Sequence, residues 1–289
     1  MDLSSRQVYG AAGASLIAAA ITARYVARWR RRRSLRRGGQ DDRPPSGGRF
    51  LIGLDLTDPY AAKKRRCDVA IVDPDLHCTF DDWAFDEGGS GIVPSRALGH
   101  SFLLAIDGPQ GLAGEQGATM RKSERLVNAP GHTPYDLPED GRPYQGLITG
   151  SVKLFHRLVT SGGRFRLLGL DGVPPSDANL LEVFPGAAWR TVAERPLPAK
   201  RTQEGRTARF ELLQRLGLTF DAGKLPTVDQ LDAAMAAWVA HRFDFEDVRI
   251  EGQAPELDEE AHVIREGYIV QPASASDRAP ADAESVAPV

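Results

Sequence analysis

Cysteine is scarce in this chain: its 289 residues contain two, Cys67 and Cys78. A disulfide framework needs more, and their spacing matches neither a zinc site nor a redox motif. Both read as small buried side chains in a reducing compartment. The six His show no metal-ligand spacing. A nucleotide-binding glycine-rich loop and a Gly-x-Ser-x-Gly elbow are also missing, so P-loop and serine-hydrolase chemistry have no support. Long apolar runs are lacking too. The uncharged stretch from Val8 to Ala23 has sixteen residues, short of the roughly 20 that span a bilayer, although 8–27 would suffice if Arg24 snorkels.

Net positive charge is confined to the start of the chain. Residues 1–49 hold eleven Arg against three Asp, a net +8, so the remainder carries −11 of the overall −3. Such a body disfavours a broad nucleic-acid surface, though not a local basic rim around an acidic site. The Arg-rich flank at 28–37 follows the apolar stretch, so a single-pass anchor would keep the body in the cytoplasm. A cleavable signal peptide fits poorly, because its charge should precede the apolar part. An organelle-targeting or unstructured leader, and a start read too far upstream, are the other readings of 1–49, which ends in a Pro/Gly linker. From Pro272 onward the Ala, Pro, Ser and acidic residues predict a disordered tail over 273–289.

Between these ends, 50–272 reads as one mixed α/β domain. Strands are expected at 49–56, 68–73 and about 77–84, joined by short links that favour an antiparallel meander. A fourth strand ends at Asp107, a fifth covers 179–184, and a short one is expected at 268–270. Helices are expected at 94–100, 119–130, 150–161, 203–216 and 228–242. A Gly/Pro-rich loop covers 131–146.

The candidate chemistry lies in carboxylates. Phe50–Asp55 and Phe102–Asp107 are apolar runs that each stop at an aspartate, where an acid is costly unless something positive meets it. Asp55 and Asp107 also have turn readings, the latter before Gly108-Pro109. Further on, Thr227 and Gln230 stand in capping-box relation, which places Asp229 in the first turn of a helix whose dipole favours an anion. Asp232 lies three residues on, amid Val228, Leu231, Met235 and Trp238, and needs a partner: an ion shared with Asp229, or an Arg. Glu182 interrupts an apolar strand. The cations of Lys200-Arg201…Arg206…Arg209 suit a phosphate, or form a solvated run. Arg121, Glu124 and Arg125 read as a solvated helical face. Converging carboxylates would make an oxygen-rich site for a divalent metal.

Taken in order, Gly53-Leu54-Asp55, Ile106-Asp107-Gly108-Pro109, Glu182-Val183-Phe184-Pro185, Lys200-Arg201-Thr202 with Gly205-Arg206, and Asp229-Gln230-Leu231-Asp232 resemble the domain of unknown function (DUF) 429 family, described as predicted nucleases of the ribonuclease H-like fold. The resemblance covers roughly 50–272. It implies a mixed five-stranded sheet, its first three strands antiparallel, with helices on both faces. It further implies that Asp55, Asp107, Asp229 and Asp232 hold Mg²⁺ or Mn²⁺, with Glu182 an outer member of the catalytic set. Lys200, Arg206 and Arg209 would then hold the phosphate of a nucleic acid substrate. The alternatives are a non-catalytic nucleic-acid- or protein-binding module on the same fold and, behind it, an ATP-binding relative.

Overall fold

The computed structural model describes residues 48–139, 141–274 and 277. The expected apolar anchor at 8–27 and nearly all of the 273–289 tail lie outside them. Among the described residues, no helix is long and apolar enough to cross a membrane.

The expected meander is present. Strands β1 (Phe50–Asp55), β2 (Cys67–Val72) and β3 (His77–Trp83) pair antiparallel, and β4 (Phe102–Asp107) lies parallel to β1 on its other side. β5 (Leu180–Val183) continues in parallel next to β4. The sheet does not stop at five strands, as the resemblance implied. It has eight, in the order β6-β3-β2-β1-β4-β5-β8-β7, with β6 (Thr219–Phe220) at one edge and the hairpin β7 (Val248–Asp258) and β8 (Val263–Pro272) at the other. The short strand expected at 268–270 is the middle of β8. Gly252 and Pro255 disguise β7 in the sequence, since both are strand breakers, and the pairing register shifts between Gln253 and Glu256.

Helices cover both faces. α1 (Lys122–Val127) is shorter than the expected 119–130, and only a 3-10 turn, Ser95–Ala97, forms within 94–100. α2 (Gln145–Thr160) begins five residues before the expected start and packs Leu154, Phe155 and Leu158 against Ile52, Leu54, Leu104 and Ile106. α3 (Pro185–Val192) was not expected, because Pro185-Gly186 reads as a strand stop; here Pro185 occupies the first helical turn, where its missing N–H costs nothing. α4 (Gln203–Arg215) and α5 (Val228–Asp244) complete the other face.

α5 is the central element, and it begins as the sequence predicts: Thr227 accepts from the Gln230 N–H and Gln230 reaches back to the Thr227 N–H. Most of its residues are buried, and it lies on a row of small residues. Gly53 is in register with Ala70 on β2 and with Ala105 on β4, beneath Ala233 and Ala237. A Cβ at Gly53 would fall inside contact distance of the Ala233 carbonyl oxygen. The glycine is therefore required by the close approach of helix backbone to strand backbone.

Candidate functional site: an acidic cleft at the strand ends

Strand alternation decides which acids meet. Leu51 and Gly53 face α5, so Asp55 faces it too, at the carboxyl end of β1. Asp107 is its direct neighbour in register on β4, and Asp68 its neighbour on β2. Asp232 enters from the first turns of α5. The structure thus brings Asp55, Asp107 and Asp232 together: Asp232 lies close enough to raise the proton affinity of both strand acids, and Asp107 that of Asp55.

The two strand acids are unlike the helix acids. Asp55 and Asp107 accept no hydrogen bond and no ion pair from any described residue, although both are half-buried. Burial, then the neighbouring carboxylates, push both pKa values well above the ordinary range, with Lys200 opposing. Asp232, only 5% exposed, is fully engaged. Its Oδ1 accepts from Trp189 Nε1 at 2.6 Å and its Oδ2 from Lys200 Nζ at 2.9 Å. Asp229 pairs with Arg65 at 2.5 Å on the rim. Among the described residues, no group of three His, Cys, Asp or Glu side chains has the geometry to hold a metal ion.

A cleft of about 290 Å³ opens over this floor, lined among others by Asp55, Asp107, Lys200, Tyr144, Phe184 and Glu182. Glu182 sits one residue out of phase with the aspartates. Leu181 and Val183 face α5, so Glu182 belongs to the opposite face with Leu180. There Arg121 Nη1 and Nη2 grip it as a fork at 2.7 and 2.5 Å, and the Gln110 N–H donates at 2.9 Å. Glu124 closes the network: it accepts from Arg121 Nη2 at 3.2 Å, from the Thr133 N–H at 2.9 Å and from the Thr133 hydroxyl. Arg121 and Glu124, expected on a solvated face, are thus buried. Burial alone would lower the Arg121 pKa, but the two glutamates outweigh it and raise it. A larger groove of about 650 Å³ along β3 and β6 lacks any comparable carboxylate pair.

Of the three expected phosphate cations, Lys200 reaches the cleft and the other two do not line it. Arg209 is buried, donating to the carbonyls of Pro198 and Gly205 and covering the Trp189 ring, and burial lowers its pKa. Arg206 lies half-buried on α4. Two participants, Asp68 and Trp189, were not singled out from the sequence, and the buried role of Arg121 was not expected. Asp68 was legible from the meander, since an antiparallel partner must place the start of β2 opposite the end of β1. Trp189 and Arg121 left no such signal, because both act through tertiary contacts.

An α/β protein with an acidic cleft at the carboxyl ends of its central strands is the class defined here. The chain belongs to the family described as Protein of unknown function (DUF429), whose match runs over residues 93–256, more than half of its length. The match takes in Asp107, Glu182, Lys200, Asp229 and Asp232, while Asp55 precedes it. No curated protein and no solved structure matches the chain.

Proposed function

We propose that the chain is a metal-dependent nuclease or phosphodiesterase of ribonuclease H-like type, acting on phosphodiester bonds of nucleic acid. One observation carries the reading: Asp55 and Asp107 stand side by side, half-buried, with no cation or donor among the described residues bonded to either. A half-buried pair of like charges is unfavourable unless it is protonated or meets a cation. The strand order β3-β2-β1-β4-β5, antiparallel then parallel, supports the ribonuclease H-like comparison.

The donor set fits a hard cation. Mg²⁺ and Mn²⁺ favour carboxylate oxygen, and Mg²⁺ is commonly held by one or two carboxylates, with water and substrate phosphate completing its shell. Such an ion, when bound, would supply Lewis-acid polarisation of the phosphoryl group and an activated water. The remaining work falls to the chain itself. Asp55 and Asp107 would hold the cation, because β1 and β4 keep them in register. The half-exposed Lys200 draws the phosphate toward them. Leu56, Ile148 and Phe184 wall the floor of the cleft from bulk water.

The full chain with Mn²⁺ is expected to cleave at least one member of a panel of DNA, RNA and branched substrates. Cleavage that survives Asp107→Asn unchanged sinks the proposed site. A second reading, a non-catalytic binding module, draws support from the ion pairs that already occupy Asp229 and Asp232. It predicts nucleic-acid or protein binding with no cleavage and no response to Mn²⁺.

A further inference from the structure

The acids of the sheet and those of the helix are treated oppositely, and the difference bears on how many ions the cleft holds. A second ion beside the strand pair would need a further carboxylate oxygen to hold it. Asp232 is the α5 acid that faces Asp55 and Asp107, and a protein ammonium already lies on its Oδ2. We infer that Lys200 takes the place of a second metal, so that the cleft binds one divalent ion, on Asp55 and Asp107. The inference rests on the metal-dependent reading above.

The placement of Lys200 is built, although its side chain is 51% exposed. The loop that carries it is tied down on both sides. Thr202 Oγ1 donates to the Ala199 carbonyl at 2.8 Å and accepts from the Gly205 N–H at 3.0 Å, which caps α4. Arg209 Nη1 donates to the Pro198 carbonyl at 3.0 Å. Gly205 lets α4 press against this loop, since a Cβ there would overlap the Ala199 carbonyl. The acid is held from the other direction. Arg209 lies 5.7 Å over the Trp189 ring, and Trp189 Nε1 fixes Asp232 Oδ1. A metal on Asp232 Oδ2 would sit against the Lys200 ammonium, and like charges at that range repel.

The position also gives Lys200 a role in the reaction. Hydrolysis joins the oxygen of water to phosphorus and breaks the bond to the leaving oxygen, which departs with the electron pair. One proton of the water passes to solvent. The Lys200 N–H then hydrogen-bonds the departing oxyanion, which takes a proton from solvent, and compensates the charge a second metal would otherwise meet. Lys200→Arg retains a cation there; Lys200→Met does not.

The test is a calorimetric and Mn²⁺ electron-resonance titration of the full chain, which reads stoichiometry without any turnover. Wild type and Lys200→Arg are expected to bind one Mn²⁺ per chain, lost in Asp107→Asn. Lys200→Met is expected to bind two, or to hold the first about tenfold more tightly once the competing charge is gone. Two ions in wild type overturn this inference and leave the metal-dependent reading standing. One ion in wild type with an unchanged Lys200→Met titration overturns it as well. No Mn²⁺ bound in wild type overturns both readings.

Discussion

Asp107 and Glu182 stand on adjacent parallel strands, line one cleft and differ in almost every other respect. Glu182 is held by an arginine fork and a backbone N–H, with a second glutamate and a threonine completing the network behind it. Asp107 is half-buried beside a like-charged neighbour and has no partner among the described residues. One charge has been completed by the protein and the other left open. The closed network secures β5 to the loop after α1; the open pair is what an external cation would complete. The difference teaches that burial of an acid says little until its partners are counted.

The sharpest way to break the comparison is to open the closed side. Arg121→Met strands two buried glutamates, and the expected loss of unfolding free energy is about 3–5 kcal/mol. Urea denaturation should show it as a lower midpoint. A loss below about 1 kcal/mol, the median range of surface pairs, would mean that the network is no more than a surface ion pair.

His241, near the far end of α5, handles the same problem by giving up its charge: burial, helped by Arg242, lowers its pKa to about 4. The unfolded chain regains an ordinary histidine, so this stability is fully present above pH ~6.5 and is lost as pH falls toward 4. At about 1.4 kcal/mol per pKa unit the total is at most about 3 kcal/mol. The pH profile of stability for His241→Gln is expected to be flatter across that window than that of wild type, and identical profiles would refute the assignment.

The smallest expected effect has the opposite sign. Asp107→Asn should stabilise the metal-free protein near neutral pH by on the order of 1 kcal/mol. A raised folded-state pKa contributes stability that is present at acid pH and lost as pH rises through the interval above the ordinary carboxylate range. The gain in Asp107→Asn should therefore appear at neutral pH and vanish in acid. Thermal melts at both pH values check it. A destabilised Asp107→Asn would place Asp107 with Glu182 among the structural acids.

How much of this was legible follows the same division. Apolar runs that stop at Asp55 and Asp107 are local patterns, and they located two central strands and the open pair. The Thr227–Gln230 capping box likewise marked the start of α5. Glu182 was placed on the correct strand, but its face follows from counting alternation against Leu181 and Val183. Arg121 and Glu124 resembled a solvated pair because i, i+3 spacing cannot reveal that Thr133 and Glu182 close over them from distant parts of the chain. Arg209 was misjudged for a related reason: its use is to brace Trp189, a contact with no sequence signature. The β7–β8 hairpin was missed where Gly252 and Pro255 interrupt the strand pattern.

The row Ala70–Gly53–Ala105 under α5 has a bearing on the cleft beyond packing. Side chains can adjust the reach of a carboxylate, but the gap between the sheet acids and Asp232 is set by backbone touching backbone at Gly53. That contact works as a gauge block: it calibrates the space that a small cation, if bound, would share with the Lys200 ammonium. Widening it by a single methyl group would detune the cleft from two residues back along β1, without altering any residue that lines it.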